Sequence, residues 1–161
     1  MSTLPDTATR TDLTGIVQVT IPVSDLARSA AWYRDLLELD YVREFADGER
    51  VTGCALADWT ARYLIALRLR STVAGRPDMR GEHPVILEAA SPAAAERVRA
   101  RAESLGIPST GGTHADATWL EFLDPDGIAV RVAHSATGPR GFFGVDLSDG
   151  ELYETPRLVL P

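Results

Sequence analysis

The stretch from Gly15 to Phe45, GIVQVTIPVSDLARSAAWYRDLLELDYVREF, decides the fold, because a strand, a capped helix and a second strand follow one another inside it. Val17, Val19, Ile21 and Val23 alternate with Gln18, Thr20 and Pro22, the period of a strand with one apolar face. Gln18 and Thr20 are therefore expected to point away from the main core. Ser24 or Asp25 then offers a side-chain oxygen to the first free amides of a helix. The apolar stripe of that helix is Leu26, Ala30, Tyr33 and Leu37, flanked by Trp32 and Leu36, and it needs a sheet to lie on.

Downstream, Tyr41 to Phe45 reads as a strand, Ala46 to Arg50 as a turn on Asp47-Gly48, and Val51 to Leu56 as the partner strand. Tyr63 to Leu69 alternates again, with Ile65, Leu67 and Leu69 on the buried side and Leu64, Ala66 and Arg68 on the other. Ser71 to Glu82 carries Gly75, Pro77 and Gly81 and reads as a linker. The order then repeats. Val85 to Ala89 is a strand, Ser91-Pro92 opens a helix with the stripe Ala95, Val98, Ala102 and Leu105, and Gly106 closes it. Sliding the first module forward by roughly 66 residues superposes Asp25 on Ser91, Trp32 on Val98, Leu36 on Ala102 and Leu39 on Leu105. Pro108 to Ala117, with Gly111-Gly112, reads as a loop, Thr118 to Leu123 as a strand, Asp124-Pro125-Asp126-Gly127 as a turn, and Ile128 to Ala133 as a last strand.

Each half thus reads β-α-β-β-β, with the second strand of the second half weakly marked. The expected organisation is a flexible leader over 1–12, a first module over 13–70, a linker over 71–82, a second module over 83–134 and an extension over 135–161. The extension carries Phe142, Phe143, Leu152, Tyr153, Leu158 and Leu160. That is too much apolar surface for a free tail, so it is expected to pack on the sheet or on a partner subunit.

A chain of 161 residues with 45% hydrophobic residues can bury a proper core. Its net charge of -7 and pI near 4.9 argue against nucleic-acid binding, which needs clustered cations; lysine is absent and every basic residue is arginine. Cys54, the single cysteine, excludes an internal disulfide. The polar leader MSTLPDTATRTD lacks the apolar run of a signal peptide or membrane span, so a cytoplasmic protein with no membrane partner is expected.

The segment QVTIPVSDLARSAAWYRDLLELDY resembles the opening of the vicinal oxygen chelate family, also called the glyoxalase, bleomycin-resistance and dioxygenase superfamily. WLEFLDPDGIAVRV resembles its closing motif. With the repeat, these cover Gly15 to Ala133. The resemblance implies an α+β fold in which two repeated βαβββ modules curl a mixed sheet into a cup with helices outside, often completed as a homodimer. In the family's metal enzymes the ligands come from the first and last strands of the modules. Those positions fall here on Gln18, on Pro84 with His83 one residue out of register, on Arg131 in the DPDG-x-x-x-Glu pattern, and on Ala66 or Arg68. A guanidinium repels a cation and offers it no lone pair, so the standard metal is not expected; no cofactor is called for, a divalent metal at a displaced site being the alternative.

Gln18 is then a metal ligand through its amide oxygen, a hydrogen-bonding group in a ligand cavity, or a polar residue at a sheet edge. Arg131 either anchors an anion or carbonyl or forms an ion pair with Glu121 on the adjacent strand, and Arg68 carries the same ambiguity. Trp59, Tyr63 and Trp119 lie near the implied cup mouth, where they stack on a flat ligand or belong to the core. His83, His114 and His134 show no shared-face spacing and read as surface or turn residues, although His83, Glu121 and Gln18 together would make a displaced metal site. Cys54 reads as a small buried hydrophobe.

Two functions follow. The first is a binder that sequesters a small organic molecule such as an antibiotic, oriented by Gln18, Thr20 and Arg131. The second is an enzyme, a lyase, isomerase or dioxygenase of this type. In its metal-free form Arg131 and Gln18 stabilise an enolate or oxyanion while Glu121 moves the proton; in its metal form a displaced site does glyoxalase or ring-cleaving chemistry. A duller third reading is an interaction module that kept the fold and lost the cavity.

Overall fold

The helix of the opening stretch, α1 (Leu26–Leu37), begins at Asp25 rather than Ser24, because the Asp25 carboxylate accepts the Arg28 amide at 2.9 Å. The second helix, α2 (Pro92–Ser104), repeats the device: Ser91 Oγ accepts the Ala94 amide at 3.1 Å, and proline fills the first turn. Residues 25 and 28 thus correspond to 91 and 94, the slide read from the sequence. The structure is a computed structural model, and it describes residues 15–114, 117–136, 144–145 and 152–153. The leader and most of the expected C-terminal extension lie outside the described residues.

The chain divides after Asp78 into two compact units, with Asp35–Leu37 grouped with the second. In the first, β1 (Gln18–Val23), β2 (Asp40–Asp47), β3 (Arg50–Asp58) and β4 (Tyr63–Leu69) form a mixed sheet in the order β1-β4-β3-β2. β1 runs parallel to β4, and the other pairs are antiparallel. In the second, β5 (Val85–Glu88), β6 (Ser109–His114), β7 (Ala117–Leu123) and β8 (Ala129–Ser135) repeat that order as β5-β8-β7-β6, and α2 rests on β7 and β8. Two short strands, β9 (Gly144–Val145) and β10 (Leu152–Tyr153), pair antiparallel within the expected extension. The fold is α+β, two βαβββ modules, as the repeat predicts.

Alternation places the larger core side chains, although β3 is buried without a break from Thr52 to Ala57 and Ala66 on the other face is buried too. Ile21, Val23, Cys54, Leu56, Ile65 and Leu67 are buried in the first sheet, and Leu120, Phe122, Val130 and Val132 in the second. In α1 the buried positions are Ser29, Tyr33 and Leu36, while Leu26, Ala30 and Leu37 are half-buried, so the stripe lies partly rotated from the sequence reading. Leu105, placed in the α2 stripe from sequence, is instead 43% exposed, because it caps the helix as the chain leaves for Gly106.

The expected loop from Pro108 to Ala117 is corrected to the edge strand β6 over most of its length. A Cβ on Gly111 would lie 2.5 Å from the Trp119 carbonyl oxygen, so that glycine is what lets β6 approach β7. The DPDG turn behaves as read. Asp124, 5% exposed, accepts the amides of Asp126 at 2.8 Å and Ile128 at 2.9 Å, and Gly127 takes the left-handed φ of 78°. No helix among the described residues is long and apolar enough to cross a membrane.

Candidate functional site

Strand register places Gln18, Thr20, Arg68, Trp119, Glu121 and Arg131 on the sheet faces opposite the cores just described. In the second unit Arg131 stands directly across from Glu121, and Trp119 lies two residues before Glu121 on the same face. Arg131 Nε donates to Glu121 Oε2 at 2.7 Å, and its guanidinium carbon sits 5.5 Å from the centre of the Trp119 ring. Of the two roles left open for Arg131, the ion pair is therefore realised. Gly112 is opposite Trp119 and Thr110 opposite Glu121. Trp119 also borders a surface groove of about 410 Å³ whose other walls include Arg99, Glu103, Thr110 and Gly112.

In the first unit Gln18, Thr20 and Arg68 share the outer face, in successive rows. Gln18 pairs with Leu64, Thr20 with Ala66, and Pro22 with Arg68. Gln18 Nε2 donates to Thr20 Oγ1 at 3.2 Å. Arg68 lies one row beyond Thr20, with its guanidinium carbon 5.6 Å from the centre of the Phe45 ring. Trp59 is 67% exposed in the β3–β4 turn. Tyr63 alternates onto the side of Ile65 and Leu67 and so stands apart from Gln18; burial, then the Asp58 charge, pushes its hydroxyl up to about 12.

The sequence alone assigns Phe45 and Gly53 no role in a site. The available signal was a lone glycine inside the apolar strand β3, which marks a close approach. Cys54 is fully buried, as expected, and burial, then the Glu44 charge, pushes its thiol up to about 11.

Residues 15–132 match the family model described as the Glyoxalase/Bleomycin resistance protein/Dioxygenase superfamily. The chain belongs to this superfamily. No curated protein matches it. Among solved structures, a lactoylglutathione lyase from Agrobacterium tumefaciens superposes with a TM-score of 0.65 at 18% identity, over 79% of this chain and 98% of that one. TnmS3, an antibiotic binding protein from Streptomyces sp. CB03234, superposes with a TM-score of 0.64 at 16% identity, over 79% and 100%. A glyoxylase/bleomycin resistance protein/dioxygenase domain from Frankia sp. EAN1pec gives 0.62 at 19%, over 77% and 99%.

Register also settles which first-half residue corresponds to Arg131 in this superfamily member. Val19 pairs with Ile65 in the first module, and its counterpart Val85 pairs with Val130 in the second. Ala66 therefore matches Arg131, and Arg68 matches Ala133. The four positions at which the family resemblance places metal ligands hold Gln18, Ala66, Pro84 and Arg131. Of these four side chains only Gln18 carries a metal-ligating atom, its amide oxygen, so the set does not fit a divalent ion that takes several oxygen or nitrogen ligands. Of the displaced set, Glu121 is held by Arg131, and His83 is exposed. His134, expected as a surface or turn residue, is instead half-buried in β8, with Nδ1 2.9 Å from the Ala89 carbonyl oxygen at the end of β5. Among the described residues no three His, Cys, Asp or Glu side chains gather as a metal cluster.

Proposed function

We propose that this superfamily member binds a small organic molecule without the family's standard metal and sequesters it, an antibiotic being the best-fitting class. The observation that carries the reading is the content of the family's glutamate position: a guanidinium, bonded to Glu121 and laid against Trp119. An arginine so held gives a flat, polar wall suited to stacking and hydrogen bonding. TnmS3, one of the superposed structures, is named as an antibiotic binding protein, and that name agrees with the proposal. Gln18 and Thr20 supply polar groups on the first module's outer face. The same reading has the protein working as a cytoplasmic homodimer, which light scattering at dilute concentration checks.

The test is metal analysis after gentle purification, joined to titration with a panel of aromatic and peptide antibiotics followed by tryptophan fluorescence. Saturable quenching that is weakened in Trp119→Leu, with no stoichiometric metal, supports the binder. Stoichiometric zinc, iron, nickel or manganese held by protein side chains overturns it, as does turnover of a titrated compound. Turnover would favour the enzyme reading, with Glu121 as the proton carrier.

A further inference from the structure

Arg68 and Arg131 provide an internal comparison. Across from Arg131 stands Glu121, and the pair is closed at 2.7 Å. Across from Arg68 stand Pro22 on one side and Gly53 on the other, neither able to accept a hydrogen bond through a side chain. A Cβ on Gly53 would lie 2.6 Å from Arg68 Cδ and 2.7 Å from the Leu67 carbonyl oxygen. The missing side chain is thus what lets the Arg68 stem lie flat across β3 and bring its head over Phe45. There Nε is buried with no hydrogen-bond partner, and among the described residues no carboxylate pairs with the guanidinium. This occurs in a chain with 23 acidic residues against 16 arginines, where counter-ions are abundant. A half-buried guanidinium whose Nε is shielded and unpaired is costly, and an anion at its head lowers that cost.

We propose that Arg68, steadied by Phe45 and accommodated by Gly53, anchors a carboxylate carried by the small molecule this protein binds. The proposal rests on the small-molecule reading above and names its chemistry. Phe45, its ring centre 5.6 Å from the guanidinium carbon, steadies the head, and a carboxylate meets the guanidinium through charge-assisted hydrogen bonds.

The test uses the full chain and two probes with one ring system, 2-naphthoate and 2-naphthamide, which differ in charge. Calorimetric titration should show naphthoate binding more tightly by roughly tenfold or more. Arg68→Gln should erase that preference, whereas Arg43→Gln, which removes an exposed cation from β2, should preserve it. In the wild-type protein the Arg68 Nε–H resonance should shift with naphthoate and stay in place with naphthamide, a readout that needs no variant to fold. Equal binding of the two probes, or a preference that survives Arg68→Gln, overturns the anchor while leaving small-molecule binding intact. Failure of both probes to bind also overturns it, and the antibiotic titration then judges the broader reading by itself.

Discussion

A guanidinium on a strand between apolar neighbours must find an anion, a ring face or water, and Arg131 finds the first two in Glu121 and Trp119. Both partners keep some exposure, 34% for Arg131 and 22% for Glu121, so solvent screens the pair. A double-mutant cycle with Arg131→Met and Glu121→Gln, read from denaturant melts, should give a coupling of about 0.5–1.5 kcal/mol. No coupling would show that the ring contact alone holds Arg131. Gly53 tests the first unit differently. Its added Cβ meets a backbone oxygen as well as the Arg68 stem, and strand backbone yields little, so Gly53→Ala should cost about 1–3 kcal/mol. An unchanged melt would mean that β3 and β4 part freely. Buried Cys54, with its thiol pushed up to about 11, should alkylate slowly at neutral pH and speed up only on strong alkalinisation. Rapid iodoacetamide labelling of the native protein at pH 7 would contradict that.

Helix starts and the DPDG turn are elements whose reason is written locally. Asp25→Ala and Ser91→Ala each remove the acceptor for one helix amide and should each cost about 1 kcal/mol. Asp124 is buried and holds two amides, so Asp124→Ala should cost more, on the order of 2–3 kcal/mol, while Asp124→Asn keeps an acceptor oxygen and should cost less. Equal losses from the two Asp124 variants would place its importance elsewhere than in those bonds. β6 shows where local reading fails. Ser109, Thr110, Gly111, Gly112 and Thr113 carry turn-forming chemistry and no apolar alternation, yet they form a strand because β7 supplies the ladder and Gly111 fits beneath the Trp119 carbonyl. The α1 stripe erred for a related reason: Ser29 is buried while Leu26 stays half-buried, since packing partners rather than hydropathy choose the buried face.

At the scale of the whole molecule, Tyr63 and Cys54 both have folded-state values raised above their ordinary 10.0 and 9.0, to about 12 and about 11. The unfolded chain therefore loses these protons first as pH rises, and the stability they contribute, complete below about pH 9, should fall between roughly pH 9 and 12. Thermal melts across that range should show a declining midpoint, and a flat profile would contradict the burial of both groups. The sequence by itself determined the repeat of strand, helix and strands apart from β6, the cap at Ser91 and the DPDG turn, and it narrowed the first cap to Ser24 or Asp25, because these depend on period, spacing and bonds among residues close in the chain; its opening and closing motifs carried the resemblance to the superfamily. It also placed Arg131 at the glutamate position and named Glu121 as its possible partner. Only the tertiary structure decided that the pair is closed, that Ala66 rather than Arg68 is the counterpart of Arg131, and that Arg68 crosses Gly53 to Phe45. The reason is physical: those facts are matters of strand register, which joins residues distant in sequence, and a shift of one residue would turn every side chain to the other face.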